Sequence, residues 1–290
     1  MTGLPNMADV PHLPPLDVVG LLRRYGLRPD KALGQNFLMD DVALRRVVGA
    51  AGIEGDEAVL EVGPGLGGLT RYLATLARKV VAVELDARLL PPLQEVLAPY
   101  ANVQLIEGDI LALDPANCMV EPGYLVVANI PYYITSALIR HMLEARARPQ
   151  RLVLTVQREV AQRICASAGE MSLLALSVQV YGEPLITAHI PAGAFYPAPK
   201  VDSTVILVEV YPSPLLPAPL LPSFFRLIKA GFSQKRKTLR NALSAGLAVQ
   251  PAQVEEQLHA AGIDPKRRAE TLSLEEWGKL VARYTLPVAG

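Results

Sequence analysis

Between residues 58 and 157 the chain alternates short apolar runs with stretches in which apolar residues recur every three or four positions. Segments 58–62, 79–85, 103–107, 124–129 and 152–156 read as strands, and 66–77, 87–97 and 134–145 as helices between them. Several of the strand runs are apolar almost without break, as expected of strands buried on both faces. Strands alternating with helices predict an α/β architecture, a mostly parallel sheet with helices on both faces. Segments 185–190 and 203–210 add later strands, while 173–181 fits strand and helix equally well. Upstream, a short helix ends in Arg23-Arg24, and Asp40-Asp41 caps another that runs to about residue 51. Residues 1–15 hold four prolines and read as a frayed arm, so order is expected from about Leu16.

The pattern changes at 211–222, where five of twelve residues are proline, a composition that favours an extended semi-rigid connector. Amphipathic helices follow at about 223–230, 235–245, 251–261 and 274–284. The expected organisation is therefore an N-terminal arm and helix (1–30), an α/β domain (31–210), a proline-rich linker (211–222) and a small all-helical domain (223–290).

Composition narrows the class without naming it. With 290 residues, 51% of them hydrophobic, the chain has material for a large core and a smaller one. Lys+Arg and Asp+Glu are both 28, so the net charge is zero and only its distribution can point to a polyanionic partner. No basic leader precedes a long apolar run and no stretch of about 18 apolar residues occurs, which predicts a cytoplasmic protein without membrane association. Cys118 and Cys165 stand far apart and outside any Cys-x-x-Cys or His-rich pattern, so both are expected to be buried thiols, with neither a disulfide nor a metal site.

The candidate chemistry lies at the carboxyl ends of the strands, where ligands bind in open α/β sheets. Glu61-Val62-Gly63-Pro64-Gly65-Leu66-Gly67-Gly68 joins the first core strand to the following helix, and its glycines let backbone approach a ligand. Gly63, Gly65 and Gly68 also satisfy the dinucleotide fingerprint, with Glu84 near the place of a ribose-binding acid. Charge argues against a dinucleotide. Glu61, Glu84 and Asp109 converge on this edge and would repel a pyrophosphate, whereas S-adenosylmethionine offers a sulfonium, an ammonium and a ribose diol to carboxylates. Glu84 is then expected to bind the ribose hydroxyls and Asp109 the adenine amine of the cofactor.

Asn129-Ile130-Pro131-Tyr132 follows the apolar run 124–128 and combines a polar side chain, a rigid turn and an aromatic ring, a set suited to a flat hydrogen-bonding base. An adenine amine is a poor nucleophile because its lone pair is delocalised into the ring. Two acceptors, the Asn129 side-chain oxygen and a carbonyl of the Ile130-Pro131 turn, would hold its hydrogens so that the lone pair points outward. Tyr132 would stack on the base, and Phe195, in the proline-stiffened loop 195–203, is either the opposite wall or a packed core ring.

Seven collinear segments carry a family resemblance: Gly34-Gln35-Asn36-Phe37-Leu38; Glu61 to Leu66; Glu84-Leu85-Asp86; Gly108-Asp109; Asn129 to Tyr132; Phe195 to Ser203; and Phe232 to Asn241. Together they resemble the KsgA-type ribosomal RNA adenine dimethylases. The resemblance implies a Rossmann-like methyltransferase domain at 31–210 that dimethylates two adjacent adenosines in a stem-loop near the 3′ end of small-subunit ribosomal RNA during ribosome biogenesis. It assigns cofactor contacts to Asn36, Leu38, Gly63, Glu84, Asp109 and Asn129, so that Asn129 would serve both the cofactor and the target amine, beside the Pro131, Tyr132 and Phe195 already read as the base site. Two segments depart from the family pattern. Ile130 replaces the usual Leu, a spelling similar to the Erm methylases of large-subunit RNA, and Met171-Ser172-Leu173-Leu174-Ala175 replaces a Tyr-Gly-x-Leu-Ser segment. Alternatives are therefore an Erm-type enzyme and a non-catalytic ribosome-assembly factor that binds RNA.

Between Phe224 and Gln250 stand six basic residues and no acidic one: Arg226, Lys229, Lys235, Arg236, Lys237 and Arg240. Solvated helix faces usually mix signs, so this cluster reads as a phosphate-binding footprint, with ribosomal RNA in a pre-30S particle as the expected partner. A monomer is expected.

Overall fold

The structure is a computed structural model that describes residues 10–119 and 123–284. Its strands are, in chain order, β1 (Phe37–Leu38), β2 (Ala58–Val62), β3 (Lys79–Glu84), β4 (Val103–Glu107), β5 (Leu125–Asn129), β6 (Arg151–Gln157), β7 (Gly182–Ile190), β8 (Phe195–Tyr196) and β9 (Ser203–Val210). The helices are α1 (Val18–Arg24), α2 (Asp41–Ala51), α3 (Gly68–Leu76), α4 (Leu90–Leu97), α5 (Pro115–Cys118), α6 (Thr135–Glu144), α7 (Arg158–Ile164), α8 (Leu173–Gln179), α9 (Leu221–Phe232), α10 (Leu239–Leu247), α11 (Pro251–Ala260) and α12 (Leu274–Arg283).

Seven strands form one sheet in the order β4-β3-β2-β5-β6-β9-β7. The pairs β2–β3, β3–β4, β2–β5 and β5–β6 are parallel, and β9 returns antiparallel to β6 with Ser203 opposite Gln157. From β2 the chain steps outward through β3 to β4, then crosses back to β5 on the other side of β2. Strand order reverses there, so a crevice opens at the carboxyl ends of β2 and β5. The register places Val62 beside Val83 and Glu84 beside Glu107, which brings the strand ends and the loops after them to one edge.

Burial explains the apolar strands. Every residue of β2 is buried, and Val59, Val80 and Val127 pack in one core with Val47 and Val48 of α2 and Leu73 of α3. Gly67 must be glycine to launch α3. Its φ is +83°, and a Cβ there would lie 3.0 Å from a Leu93 methyl.

Contacts divide the chain into two compact units, one formed by the chain up to Ala161 with Pro184–Val210, the other by Gln162–Glu183 with Tyr211 onward. In the second unit α9 packs on α8, α10 and α12, and fully buried Trp277 stacks on Phe232 with ring centroids 6.0 Å apart. The α12 start is fixed by a capping box between Ser273 and Glu276, whose carboxylate also pairs with Arg267.

Several expectations change. The arm is ordered from Val10, which is buried in the first unit's core, and Arg71 and Arg45 donate to the carbonyls of Pro14 and Val10. Residues 1–9 lie outside the described residues. Proline-rich composition signalled fraying because it is silent about long-range partners. Segment 173–181 is largely helical, with the Ser172 hydroxyl capping the Ala175 N–H at 3.0 Å. That helix groups with the second unit rather than with the α/β domain expected to contain it. The expected linker 211–222 is likewise bound into the second unit, since Tyr211 and Leu215 donate to the carbonyls of Tyr181 and Val180. Helix α10 begins at Leu239, leaving Lys235-Arg236-Lys237 in the turn before it. Cys118 is buried but Cys165 only partly so, and both are free thiols.

Candidate active site

An open cavity at the switch point is lined by the loop 34–38, the glycine-rich turn, Glu84, Asp109, the Asn129–Tyr132 turn and Phe195. Residues separated by up to 161 positions in sequence, from Gly34 to Phe195, therefore face one space, all of them within the first unit.

Gly63 has φ +68°, and a Cβ there would meet nothing within 4 Å, so the turn presents bare backbone to the cavity. Gly65 is constrained from the other side: with φ +60°, its Cβ would fall 2.9 Å from the Phe37 ring. Beneath the turn Glu61 is 1% exposed and its Oε2 has no hydrogen-bond partner among the described residues. Burial pushes the Glu61 carboxyl up to about 8, opposed by the nearby Thr70 hydroxyl and reinforced by the charge of Glu84. A buried carboxyl oxygen left without a partner is costly, and here it borders a ligand-sized cavity.

Glu84 ends β3 and is held at both oxygens. Oε2 accepts the Gly65 N–H at 3.0 Å and Oε1 the Asp86 N–H at 2.9 Å. Burial raises its pKa, with these backbone donors working against the rise. Its orientation toward the cavity is thus fixed before any ligand enters, while each oxygen keeps a further lone pair. Asp109 is exposed on the cavity rim and uses one oxygen, Oδ1, to cap the Leu111 N–H at 2.9 Å.

At the end of β5 the Asn129 Nδ2 donates to the Asn36 carbonyl at 3.1 Å. A carbonyl only accepts, so the NH2 of Asn129 must face it, and Oδ1 is the atom left for another donor. Asn36 in turn donates to the Gly34 carbonyl at 3.0 Å. The Tyr132 hydroxyl is anchored to Ser203 on β9 at 2.7 Å, and burial raises its pKa, so the ring stays neutral. Phe195 is both of the things the sequence left open: it is 4% exposed within the core cluster and also lines the cavity.

Two loops that bring these residues together are tied by a small second sheet, in which β1 and β8 pair antiparallel with Phe37 opposite Tyr196 and Leu38 opposite Phe195. The Met39 N–H adds a bond to the Ala194 carbonyl at 2.9 Å. Leu38 and Phe195 are therefore direct neighbours, although 157 positions apart in the chain.

The basic cluster belongs to the second unit. Arg226 and Lys229 lie one turn apart on α9, and Lys235, Arg236 and Lys237 are exposed in the turn before α10. Arg240 differs: its Nε lies 2.9 Å from Glu255 of α11. The sequence run contained no acid because the acid that neutralises Arg240 comes from the next helix.

A family model described as ribosomal RNA adenine dimethylase matches residues 27–286. The chain belongs to this family. Among curated proteins it is similar to ribosomal RNA small subunit methyltransferase A of Dehalococcoides mccartyi, 44% identical over 265 residues and 91% of each chain. The protein of the same name from Alkaliphilus metalliredigens is 40% identical, over 92% of this chain and 95% of its own. Among solved structures, the 23S rRNA methyltransferase ErmE is 30% identical with a TM-score of 0.70, covering 86% of this chain and 99% of its own. A dimethyladenosine transferase from Plasmodium falciparum is 26% identical with a TM-score of 0.72, covering 84% and 95%. The α/β unit of this dimethylase accordingly has the Rossmann-like methyltransferase fold, with a helical C-terminal region.

Four features of the dimethylase site escaped the sequence. Gln35 donates to Asp86 at 2.8 Å and accepts the Asp30 N–H at 2.8 Å, while Arg88 binds both Asp86 and Asp30. This network locks the loop 34–38 to the turn after β3; Gln35 and Asp86 stood in the quoted motifs, yet nothing local paired them. The unsatisfied state of Glu61, the Ser203 anchor of Tyr132 and the exposure of Tyr133 likewise exist only in three dimensions. Among the described residues, no cluster of three or more metal-binding side chains occurs, and no helix is long and apolar enough to cross a membrane.

Proposed function

We propose that this chain transfers methyl groups from S-adenosylmethionine to the exocyclic amines of two adjacent adenosines in a 3′-terminal stem-loop of small-subunit ribosomal RNA, during ribosome biogenesis. The observation that carries this reading is the Asn129 amide, committed through Nδ2 to the Asn36 carbonyl and so presenting Oδ1 as an acceptor beside the Ile130-Pro131 turn.

The cavity fits the cofactor. Glu61 offers an unpaired buried carboxyl oxygen to a cationic group, Glu84 a fixed carboxylate to a diol, and the Gly63 turn open backbone for close approach. Leu38, Asn36 and Asp109 complete the wall. When bound, the cofactor supplies an electrophilic methyl group.

The protein's own work is to position the amine. Asn129 Oδ1 and a carbonyl of the Ile130-Pro131 turn accept its two hydrogens, which draws the nitrogen toward a tetrahedral shape and frees its lone pair. Tyr132 and Phe195 hold the ring in its plane, a contact of about 1–3 kcal/mol per stacked base. No side chain need remove a proton beforehand, because the methylated nitrogen carries positive charge and gives its proton to water. The neutral Tyr132 phenol agrees with this, since it is a poor base.

Small-subunit RNA is favoured over the large-subunit target by the relatives: proteins named small subunit methyltransferase A are 40–46% identical over 90% or more of this chain, against 30% for ErmE. The test is transfer of labelled methyl groups to particles from cells lacking this gene, with both ribosomal RNAs mapped by primer extension. Dimethyladenosine at two neighbouring positions in the small-subunit RNA is expected; stops in the large-subunit RNA alone would replace this reading with the Erm-type one.

The exposed cations of α9 and the following turn are proposed to bind RNA phosphates, in the cytoplasm and on a pre-30S particle. Changing Lys235, Arg236 and Lys237 together to Glu is expected to weaken particle binding and to flatten its salt dependence by about 0.7–0.9 per lost phosphate contact. Cofactor affinity should stay unchanged, and an unaltered salt slope would remove these residues from the interface.

A further inference from the structure

Among the described residues of the first unit, Tyr133 is the most exposed large apolar side chain, with 60% of its surface open, and it lies on the lip of the cavity that holds Asn129. Its neighbour Tyr132 points elsewhere for a geometric reason. Both lie in a 3₁₀ turn, Tyr132–Ile134, whose successive side chains diverge by about a third of a rotation. Tyr132 is thus turned inward to Ser203 while Tyr133 is turned outward. The ring is nevertheless supported. Gly34 (φ +62°) carries no side chain, and the position of its missing Cβ is 3.5 Å from Tyr133 Cδ1, 3.6 Å from Cε1 and 3.4 Å from the Pro131 Cβ. One side of the ring rests on the loop 34–38 and the rest faces solvent. An aromatic surface braced from behind, at the mouth of a base pocket, is not explained by core packing.

We infer that Tyr133 is a stacking platform for the purine next to the target adenosine in the RNA chain. The inference rests on the reading given under Proposed function and extends it to a second base site outside the pocket. Drawing one adenosine out of its stack exposes a face of its neighbour, and an aromatic surface beside the pocket restores the lost contact. With two adjacent targets, the neighbour is an adenine in the first round and its dimethylated form in another. A site that accepts hydrogen bonds from the amine would reject the dimethylated form, because dimethylation removes both amine hydrogens. Stacking depends on the ring face and accepts both, so a tyrosine serves every round.

The test uses the full chain with unmethylated small-subunit particles and, for binding, a stem-loop RNA carrying 2-aminopurine beside one target adenosine. Tyr133→Ala is expected to raise the KM for particles about 5- to 100-fold and to abolish quenching of the 2-aminopurine, with cofactor Kd unchanged; Tyr133→Phe should behave as wild type. Replacing the neighbouring nucleotide by an abasic one should weaken the wild type while leaving Tyr133→Ala unaffected. Equal KM and quenching in wild type and Tyr133→Ala, or loss of cofactor binding in the variant, would overturn the platform. If the wild type itself methylates neither adenosine, the proposed function falls and the platform with it, an outcome distinct from normal methylation by Tyr133→Ala.

Discussion

Asn129→Ala is expected to reduce methyl transfer by two to three orders of magnitude or more while the protein remains folded. The side chain performs two tasks with two atoms. Nδ2 fastens the end of β5 to the Asn36 carbonyl, and Oδ1 is the acceptor left to the target amine. Losing the first removes one hydrogen bond, about 1 kcal/mol in a domain stabilised by many. Losing the second removes an acceptor aimed at charge that develops on the amine, and such groups are worth roughly 10²–10³ in turnover. The large effect should therefore appear in kcat rather than in melting temperature. Asn129→Asp sharpens the test. It keeps an acceptor but sets a carboxylate oxygen against the Asn36 carbonyl, so transfer should fail there as well, with a clearer loss of stability. Near-normal turnover by a folded alanine variant would show that the amine is held by other groups.

The second large effect concerns pH. Glu61 keeps its proton to about pH 8 in the folded chain, whereas its ordinary value is 4.5. Between these values the folded state binds more protons than the unfolded state, so stability is lost as pH rises, by at most about tenfold in the folding equilibrium per pH unit. Buried Glu84, also raised, acts in the same direction. A cationic ligand group placed beside Glu61 favours its ionised form and reverses this. Cofactor binding is then expected to release about one proton below pH 8 and to tighten up to tenfold per pH unit between about pH 6 and 8. Calorimetry in buffers of different ionisation enthalpy measures that proton directly. Glu61→Gln should abolish the release, weaken cofactor binding at pH 8 and flatten the ligand-free stability profile over the same range. The same proton release in the Gln variant would assign it to another group.

Much of the fold was legible because its signals are local. The apolar runs marked β2, β3, β5 and β6 to within a residue or two, since a strand buried on both faces has nowhere to place polar side chains. The motifs located Glu61, Glu84, Asp109 and Asn129 at one edge because strand ends and ligand sites coincide in this architecture. Where the reading failed, the deciding contact was distant in sequence. Val10 and Leu215 lie in proline-rich text, yet one is buried against the sheet's core and the other is bonded to Val180. Helix α8 was ambiguous by periodicity and was decided by its packing with α9. Arg240 counted as a member of an acid-free cluster until Glu255 arrived from α11.

By itself, then, the sequence determined the α/β architecture, the position of the glycine-rich turn, the acids beside it and the Asn-Ile-Pro-Tyr motif. These follow from periodicity, turn chemistry and residue type, which a linear chain carries openly. Only the tertiary structure decided which atom of Asn129 is available, that Glu61 Oε2 lacks a hydrogen-bond partner among the described residues, that Ser203 anchors Tyr132 and that Tyr133 stands open on the cavity rim. Hydrogen-bond satisfaction and desolvation depend on every group that surrounds an atom, and those groups are assembled from distant parts of the chain.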